Sequence, residues 1–195
     1  MSVLFIDVDT QLDFLYPAGA LYVPGAERLI PTLAHLTRYA AVHGIPVVST
    51  VDAHTENDPE FRTWPKHCVA GATGQHKAEV TLLPRRVVVP NCEGDLAIEG
   101  AQQIVVEKQT VNAFDTHTFG RIVRQFNPDR IVVYGVVTEI CVLHAVRGLR
   151  QFGKSLTVVT DAIRGLTPAA SGEALIEMQS AGASLVTATA LWDML

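Results

Sequence analysis

Residues 131–153 read IVVYGVVTEICVLHAVRGLRQFG. The stretch opens as a continuous apolar run rich in β-branched residues, the pattern of a strand covered on both faces. It turns at Gly135-Val136-Val137-Thr138 and continues with Ile140, Leu143, Val146 and Leu149 at helical spacing, up to a closing glycine at Gly153. Cys141 falls in the first turn of the expected helix, just beyond the carboxyl end of the strand. Free backbone N–H groups and the positive end of a helix dipole at that place favour a thiolate. A cysteine beside an apolar run is more often a small core residue, so the remainder of the chain must decide its role.

The same alternation extends outward in both directions. Strands are expected at 3–8, 46–51, 86–90, 103–107, 155–160 (ending at Asp161) and 184–187. Helices are expected at 25–43, 113–126 and from the Thr167-Pro168 cap to Gly182. Pro31 fits the first of these helices only within its opening turn. Residues 52–84 have no sustained period, yet they hold Phe61, Trp64 and Cys68, which favours an ordered and functional loop. Strands alternating with helices call for a three-layer α/β/α architecture: a central parallel sheet, helices on both faces, and one domain over residues 1–195.

Composition narrows the function. The 195 residues suffice for one substantial core, and hydrophobic residues make up 48% of them with only 7% aromatic, an aliphatic excess typical of buried parallel strands. A formal charge of −5 with no long basic run speaks against nucleic acid. No apolar run reaches the roughly 18 residues of a bilayer span. The N-terminal residues do not read as a signal peptide, and Cys68, Cys92 and Cys141 form no CxxC pair. A cytoplasmic protein acting on a small molecule is expected; the state of association, a homo-oligomer included, is left open.

In parallel sheets ligands bind beyond the carboxyl ends of the strands. Four reactive residues fall at such ends: Asp9, Asp52, Lys108 and Cys141. A thiolate nucleophile must lose a proton and its leaving group must gain one; Asp9 within reach of Cys141 would serve both needs. Lys108 would hold Asp9 and lower the cysteine pKa through its charge. Asp52 and His54, with His67 further along the loop, make a mixed O/N donor set suited to Zn²⁺, Fe²⁺ or Mn²⁺. His35, His43, His76, His117 and His144 read as structural or solvated. Asp7 stands inside a buried strand and requires a partner.

These segments carry a resemblance. Asp9-Thr10-Gln11-Leu12-Asp13-Phe14, Lys108, and Gly135-Val136-Val137-Thr138-Glu139-Ile140-Cys141-Val142 resemble the three signatures of the isochorismatase-like cysteine hydrolases. Asp52-Ala53-His54 with Trp64-Pro65-Lys66-His67-Cys68 resembles the metal loop of the nicotinamidase branch. The resemblance implies an amidohydrolase converting nicotinamide to nicotinate and ammonia through a thioester, in NAD salvage. It implies a triad of Asp9, Lys108 and Cys141. It also implies an oxyanion hole of backbone N–H groups from Val137 or Thr138 and Cys141, and ring walls at Phe14 and Trp64. The metal, zinc foremost, would rest on Asp52, His54 and His67. A cis peptide is implied before the cysteine, at Val137-Thr138. Two departures stand out. The usual Asn of the first signature is Leu12, removing a polar group near the site entrance. The further metal ligand that the resemblance implies, a His or an acid, finds no histidine in this stretch, and Glu60 is expected to supply it, chosen for its distance from Asp52 over Glu56 and Asp58.

Three other readings compete. A related amidohydrolase of linear ureido or carbamoyl amides would keep the triad but need neither the Asp/His set nor an aromatic slot. An isochorismatase proper lacks the cysteine nucleophile. A non-catalytic binding module would make the intact Asp–Lys–Cys set a coincidence.

Overall fold

Every apolar run identified above is a strand in the computed structural model, which describes residues 1–195. In chain order the elements are β1 (Val3–Val8), the short α1 (Leu12–Leu15), α2 (Ile30–His43), β2 (Val47–Asp52), β3 (Arg86–Val89) and β4 (Gln103–Lys108). There follow α3 (Phe119–Phe126), β5 (Arg130–Val136), α4 (Leu143–Leu149), β6 (Ser155–Arg164), α5 (Pro168–Ser180), β7 (Ser184–Val186) and α6 (Ala188–Trp192). The seven strands form one sheet in the order β3-β4-β2-β1-β5-β6-β7, with every neighbouring pair parallel. No helix is long and apolar enough to cross a membrane.

Leu4, Phe5 and Ile6 of β1 and Ile131 to Tyr134 of β5 are wholly buried, as central strands covered on both faces must be. Strand order reverses between β1 and β5. Right-handed crossovers therefore carry α2 to one face and α3, α4 and α5 to the other. On the α2 side, Trp192 of α6 stacks against His35 and Tyr39. The reversal opens a crevice above the carboxyl ends of β1 and β5, where such sheets take their ligands.

Local chemistry explains the element ends. Pro31 sits in the first turn of α2, after a 3-10 turn over Ala26–Leu29; Gly44 closes the helix in the left-handed region at φ 64°. The Thr167 side chain accepts from the Ala170 N–H at 3.2 Å and caps α5. The helix expected over 113–126 is shorter. Residues 113–115 form a 3-10 turn capped by Asn112, and the Thr116 hydroxyl bonds to the Ala113 carbonyl while accepting from the Phe119 N–H, so α3 starts only at Phe119. The strand expected to end at Asp161 runs on to Arg164, because its pairing with β5 shifts register between Val133 and Gly135 and then resumes. Gly135, at φ 121°, lies against Val8, and a Cβ there would collide with the Val8 carbonyl.

Asp7 has its partner. Lys77 Nζ lies 2.8 Å from Asp7 Oδ2, Thr10 and Ser49 donate to the same carboxylate at 2.9 and 3.1 Å, and Lys77 also donates to the Thr10 hydroxyl at 2.6 Å. The group lies at the sheet beneath residues 75–83 and ties that part of the long loop to β1. Lys77→Met would leave the Asp7 charge buried and uncompensated, and is expected to cost about 3–5 kcal/mol, read as a lowered urea midpoint. A midpoint shift corresponding to less than about 1 kcal/mol would contradict this assignment.

Candidate active site

The crevice gathers the four strand-end residues. Asp9 follows β1 directly, Asp52 is the last residue of β2, Lys108 the last of β4, and Cys141 sits in a π-helical turn, Thr138–Val142, between β5 and α4. Asp9 takes a left-handed backbone, φ 51°, a conformation aspartate tolerates better than most residues. Its Oδ1 accepts from the Thr50 hydroxyl at 2.6 Å, and its Oδ2 lies 2.9 Å from Lys108 Nζ. Lys108 Nζ also pairs with Asp52 Oδ1 and lies 3.9 Å from Cys141 Sγ. The Lys108 ammonium is thus the group that Asp9 and Cys141 share. All four residues are buried.

Burial governs the protonation states. It lifts the Asp9 carboxyl above its ordinary 3.8 despite the neighbouring Lys108. For Asp52, burial acts in the same direction but is outweighed by Lys108 and by the facing His54 and His67 imidazoles, which hold that carboxyl far below the usual range. Burial works against the Lys108 charge, yet the Asp52 and Asp9 carboxylates keep it firmly protonated. The Cys141 thiol goes well above its ordinary 9.0: desolvation is the main cause, Lys108 opposes it, and the two carboxylates reinforce it. Lys108 does pull toward the thiolate as expected, but desolvation outweighs it. At neutral pH the resting residue is a thiol, 3.9 Å from the Lys108 ammonium.

The second constellation adjoins the first through Asp52. Asp52, His54 and His67 bring one donor atom each to within 4.8 Å of one another, all three buried. Asp52 Oδ2 faces His54 Nε2 at 3.8 Å and His67 Nε2 at 3.6 Å. The Nδ1 of His67 bonds to the Pro65 carbonyl at 2.7 Å, and the Nδ1 of His54 faces Asp58 Oδ2 at 3.2 Å, so both rings turn Nε2 toward Asp52. Neither nitrogen of the fully buried His54 ring makes a hydrogen bond of good geometry. A buried imidazole nitrogen without a proton partner, facing a carboxylate and a second imidazole, fits a divalent cation. Gln11 fixes this strand end, donating to the Asp52 carbonyl at 2.8 Å and accepting from its N–H at 2.7 Å. Glu60 lies outside the tight group but lines the same pocket, and burial followed by the nearby Asp52 charge raises its pKa.

A narrow pocket opens beside the thiol, bordered by Cys141, Asp52, Glu60 and His67. Its apolar walls are Phe14, Trp64, Leu21, Val23, Val111, Val137, Ile140 and Leu166. Phe14 and Trp64 were anticipated; the aliphatic members were not, since nothing in their local spacing marks them. Phe61, edge-on to His54 at 5.2 Å and His67 at 5.7 Å, and Asp58 are further residues the linear reading left unassigned.

Three expectations shift. Leu12 borders a separate surface groove with Asp13, Tyr16 and Thr73, away from the pocket, so its polarity does not bear on the entrance. The cis peptide is Val136-Val137, one bond earlier than Val137-Thr138, because β5 remains paired through Val136. Of the residues expected to contribute oxyanion donors, Val137 and Cys141 border the pocket while the Thr138 side chain borders a neighbouring cavity. The Val137 carbonyl accepts from Ile140 and Val142, each at 3.1 Å. The Cys141 N–H lies between those two donors and is not bound to that carbonyl.

The isochorismatase domain profile matches residues 3–190. The nicotinamidase of Escherichia coli is 26% identical over 92% of this chain and 92% of its own length. The nicotinamidase/pyrazinamidase of Mycobacterium tuberculosis is 29% identical over 95% of this chain and 98% of its own. Among solved structures, the pyrazinamidase of Pyrococcus horikoshii in complex with zinc superposes with a TM-score of 0.82 at 28% identity, covering 96% of this chain and 99% of that one.

Proposed function

The chain belongs to the isochorismatase family, and from that membership and the geometry around Cys141 we propose that it is a nicotinamidase-type amidohydrolase. Its substrate is nicotinamide, released as nicotinate and ammonia, a step that returns the pyridine ring to NAD synthesis. The observation that carries the reading is the shared buried cluster: a thiol, a base and a fixed ammonium next to an Asp–His–His donor set, beside a pocket with aromatic and aliphatic walls.

The residues divide the work as follows. Asp9 takes the Cys141 proton as the sulfur attacks the amide carbonyl, and the C–S bond forms. The N–H of Cys141, with that of Val137 or Thr138, holds the oxyanion of the tetrahedral intermediate. The C–N bond breaks, the departing nitrogen takes the proton from Asp9, and ammonia leaves a thioester. Asp9 then accepts a proton from water as its oxygen attacks the thioester. The C–S bond breaks, the acid departs and the proton returns to sulfur. Lys108 holds both carboxylates in place and balances charge as the thiol ionises. Phe14 and Trp64 sandwich or edge the flat ring. Asp52, His54 and His67, with Glu60 as a further ligand, would hold a divalent ion, zinc foremost, which supplies a Lewis-acid anchor for the pyridine nitrogen when bound.

The test is ammonia release across nicotinamide, pyrazinamide, a ureido acid and a carbamoyl amine, with the bound metal measured on the same preparation. Nicotinamide and pyrazinamide are expected to be hydrolysed. Removing the metal with a chelator is expected to lower their kcat/KM by about a hundredfold, recovered on adding zinc. A protein that acts on the linear amides alone, indifferent to chelation, would establish the competing amidohydrolase reading.

A pH dependence follows from Asp9. The base must be ionised to accept the thiol proton, and burial raises its folded-state pKa. The kcat/KM therefore rises with pH along an acid limb set above the ordinary carboxylate value of 3.8. A pH profile already flat at that value and above would exclude Asp9 as the base.

A further inference from the structure

Glu139 stands two residues before Cys141 in the π-helical turn, and the proposed mechanism gives it no part. It is half-buried, and both carboxylate oxygens are engaged by neutral donors on another segment. Oε1 accepts from the Leu166 N–H at 2.8 Å, and Oε2 accepts from the Ser171 hydroxyl at 3.2 Å. Those donors belong to the connection between β6 and α5 and to the first turn of α5. The carboxylate crosses the space where residue 165 would carry a side chain. A Cβ at Gly165 would collide with both Glu139 Oε2 and Ser171 Oγ. Leu166, whose N–H is held, places its side chain in the pocket wall with Ile140 and Cys141.

Two parts of the pocket that are far apart along the chain are thus joined by one side chain. Without it the polar ties between the two segments stop at the β5–β6 ladder, which ends at Val136 and Arg164, and the residues beyond it, Leu166 included, would meet the nucleophile turn through apolar contact. We infer that Glu139 is a positioning residue that clamps the Leu166 wall to the turn bearing Cys141, so that a ring held by that wall meets the sulfur at a set distance. The inference rests on the pocket beside Cys141 being the substrate site proposed above. A wall contact made equally in the ground and transition states acts on KM rather than on kcat. General damage to the fold would lower kcat and the melting temperature instead.

Two substitutions break the clamp independently: Glu139→Ala removes the carboxylate, and Gly165→Ala displaces it while leaving Glu139 in the chain. Glu139→Gln keeps an acceptor for the Leu166 N–H and a donor for the Ser171 hydroxyl. In the full-length metal-loaded protein, Glu139→Ala and Gly165→Ala are expected to raise KM for nicotinamide about tenfold with kcat within about threefold, and Glu139→Gln to stay within about twofold on both. A second measurement needs no turnover. The rate of Cys141 modification by N-phenylmaleimide relative to iodoacetamide, read on the Cys141 peptide by mass spectrometry, is expected to rise about fivefold in both alanine variants as the wall loosens. Unchanged KM in both alanine variants, or Glu139→Gln behaving as Glu139→Ala, overturns the clamp. If the wild type fails to hydrolyse nicotinamide, the substrate reading fails while the modification ratio still decides: a rise in both variants upholds the clamp, and an unchanged ratio overturns it.

Discussion

Replacing Cys141 with alanine is expected to lower nicotinamide hydrolysis by about 10⁴-fold or more while leaving the melting temperature within a few degrees of wild type. In the proposed reaction the sulfur is the nucleophile that bonds to the carbonyl, and alanine offers neither the lone pair nor the leaving group for the second half of the reaction. The side chain is small and sits at the edge of the pocket, so its loss leaves little cavity. Cys92→Ser, at the exposed thiol, should retain full activity. Acid-quenched wild type should carry an acyl group on the Cys141 peptide, absent from the variant. Undiminished ammonia release from Cys141→Ala would remove the cysteine mechanism altogether.

Lys108→Met is expected to do damage of two kinds. Activity should fall by about 10³-fold or more, since Asp9 loses the charge that holds it and the ionising sulfur loses its counter-ion. Stability should also fall, by about 3–5 kcal/mol, because two buried carboxylates are left without their shared cation. The pH dependence separates this from a packing defect. In the wild type, Asp52 has a folded-state pKa far below its unfolded value, so its contribution is present above about pH 4 and lost as pH falls through the folded value. Asp9, with its folded value raised, acts in the opposite sense and favours the folded state when protonated. Removing Lys108 raises both carboxyls. The stability gap between wild type and variant is therefore widest at neutral pH and narrows on acidification. Urea midpoints of the chelated proteins at pH 7 and pH 5 measure it. A gap that stays constant would mean that Lys108 acts through its bulk and not through its charge.

Much of this centre could be read before any coordinates. The β-branched runs mark their strands because a strand buried on both faces tolerates little else, and the carboxyl-end rule then places Asp9, Asp52, Lys108 and Cys141 together. The remaining features depend on distance in three dimensions. Sheet order rests on which strands pair across long separations, and nothing local to β3 or β4 says that β4 lies between β3 and β2. Asp7 announces a need for a cation but not that Lys77 meets it. Asp58, beside His54, is indistinguishable in the linear sequence from the exposed Glu56. The Cys141 thiol illustrates the hardest case: its neighbours were anticipated, yet the sign of its shift turns on desolvation, a property of everything packed around it. Leu166 joins the pocket from a connection following the sixth strand, and only the fold brings it there.

Asp52 has one oxygen on the Lys108 ammonium and the other toward His54 and His67. The proposed cation centre and the proposed reacting centre are consequently not separable modules. Anyone wishing to empty the first without disturbing the second should edit an imidazole and leave this aspartate alone. On this reading a chain without the ion would still be obliged to retain the residue for Lys108, so its presence in a distant homologue is poor testimony that a metal is bound there.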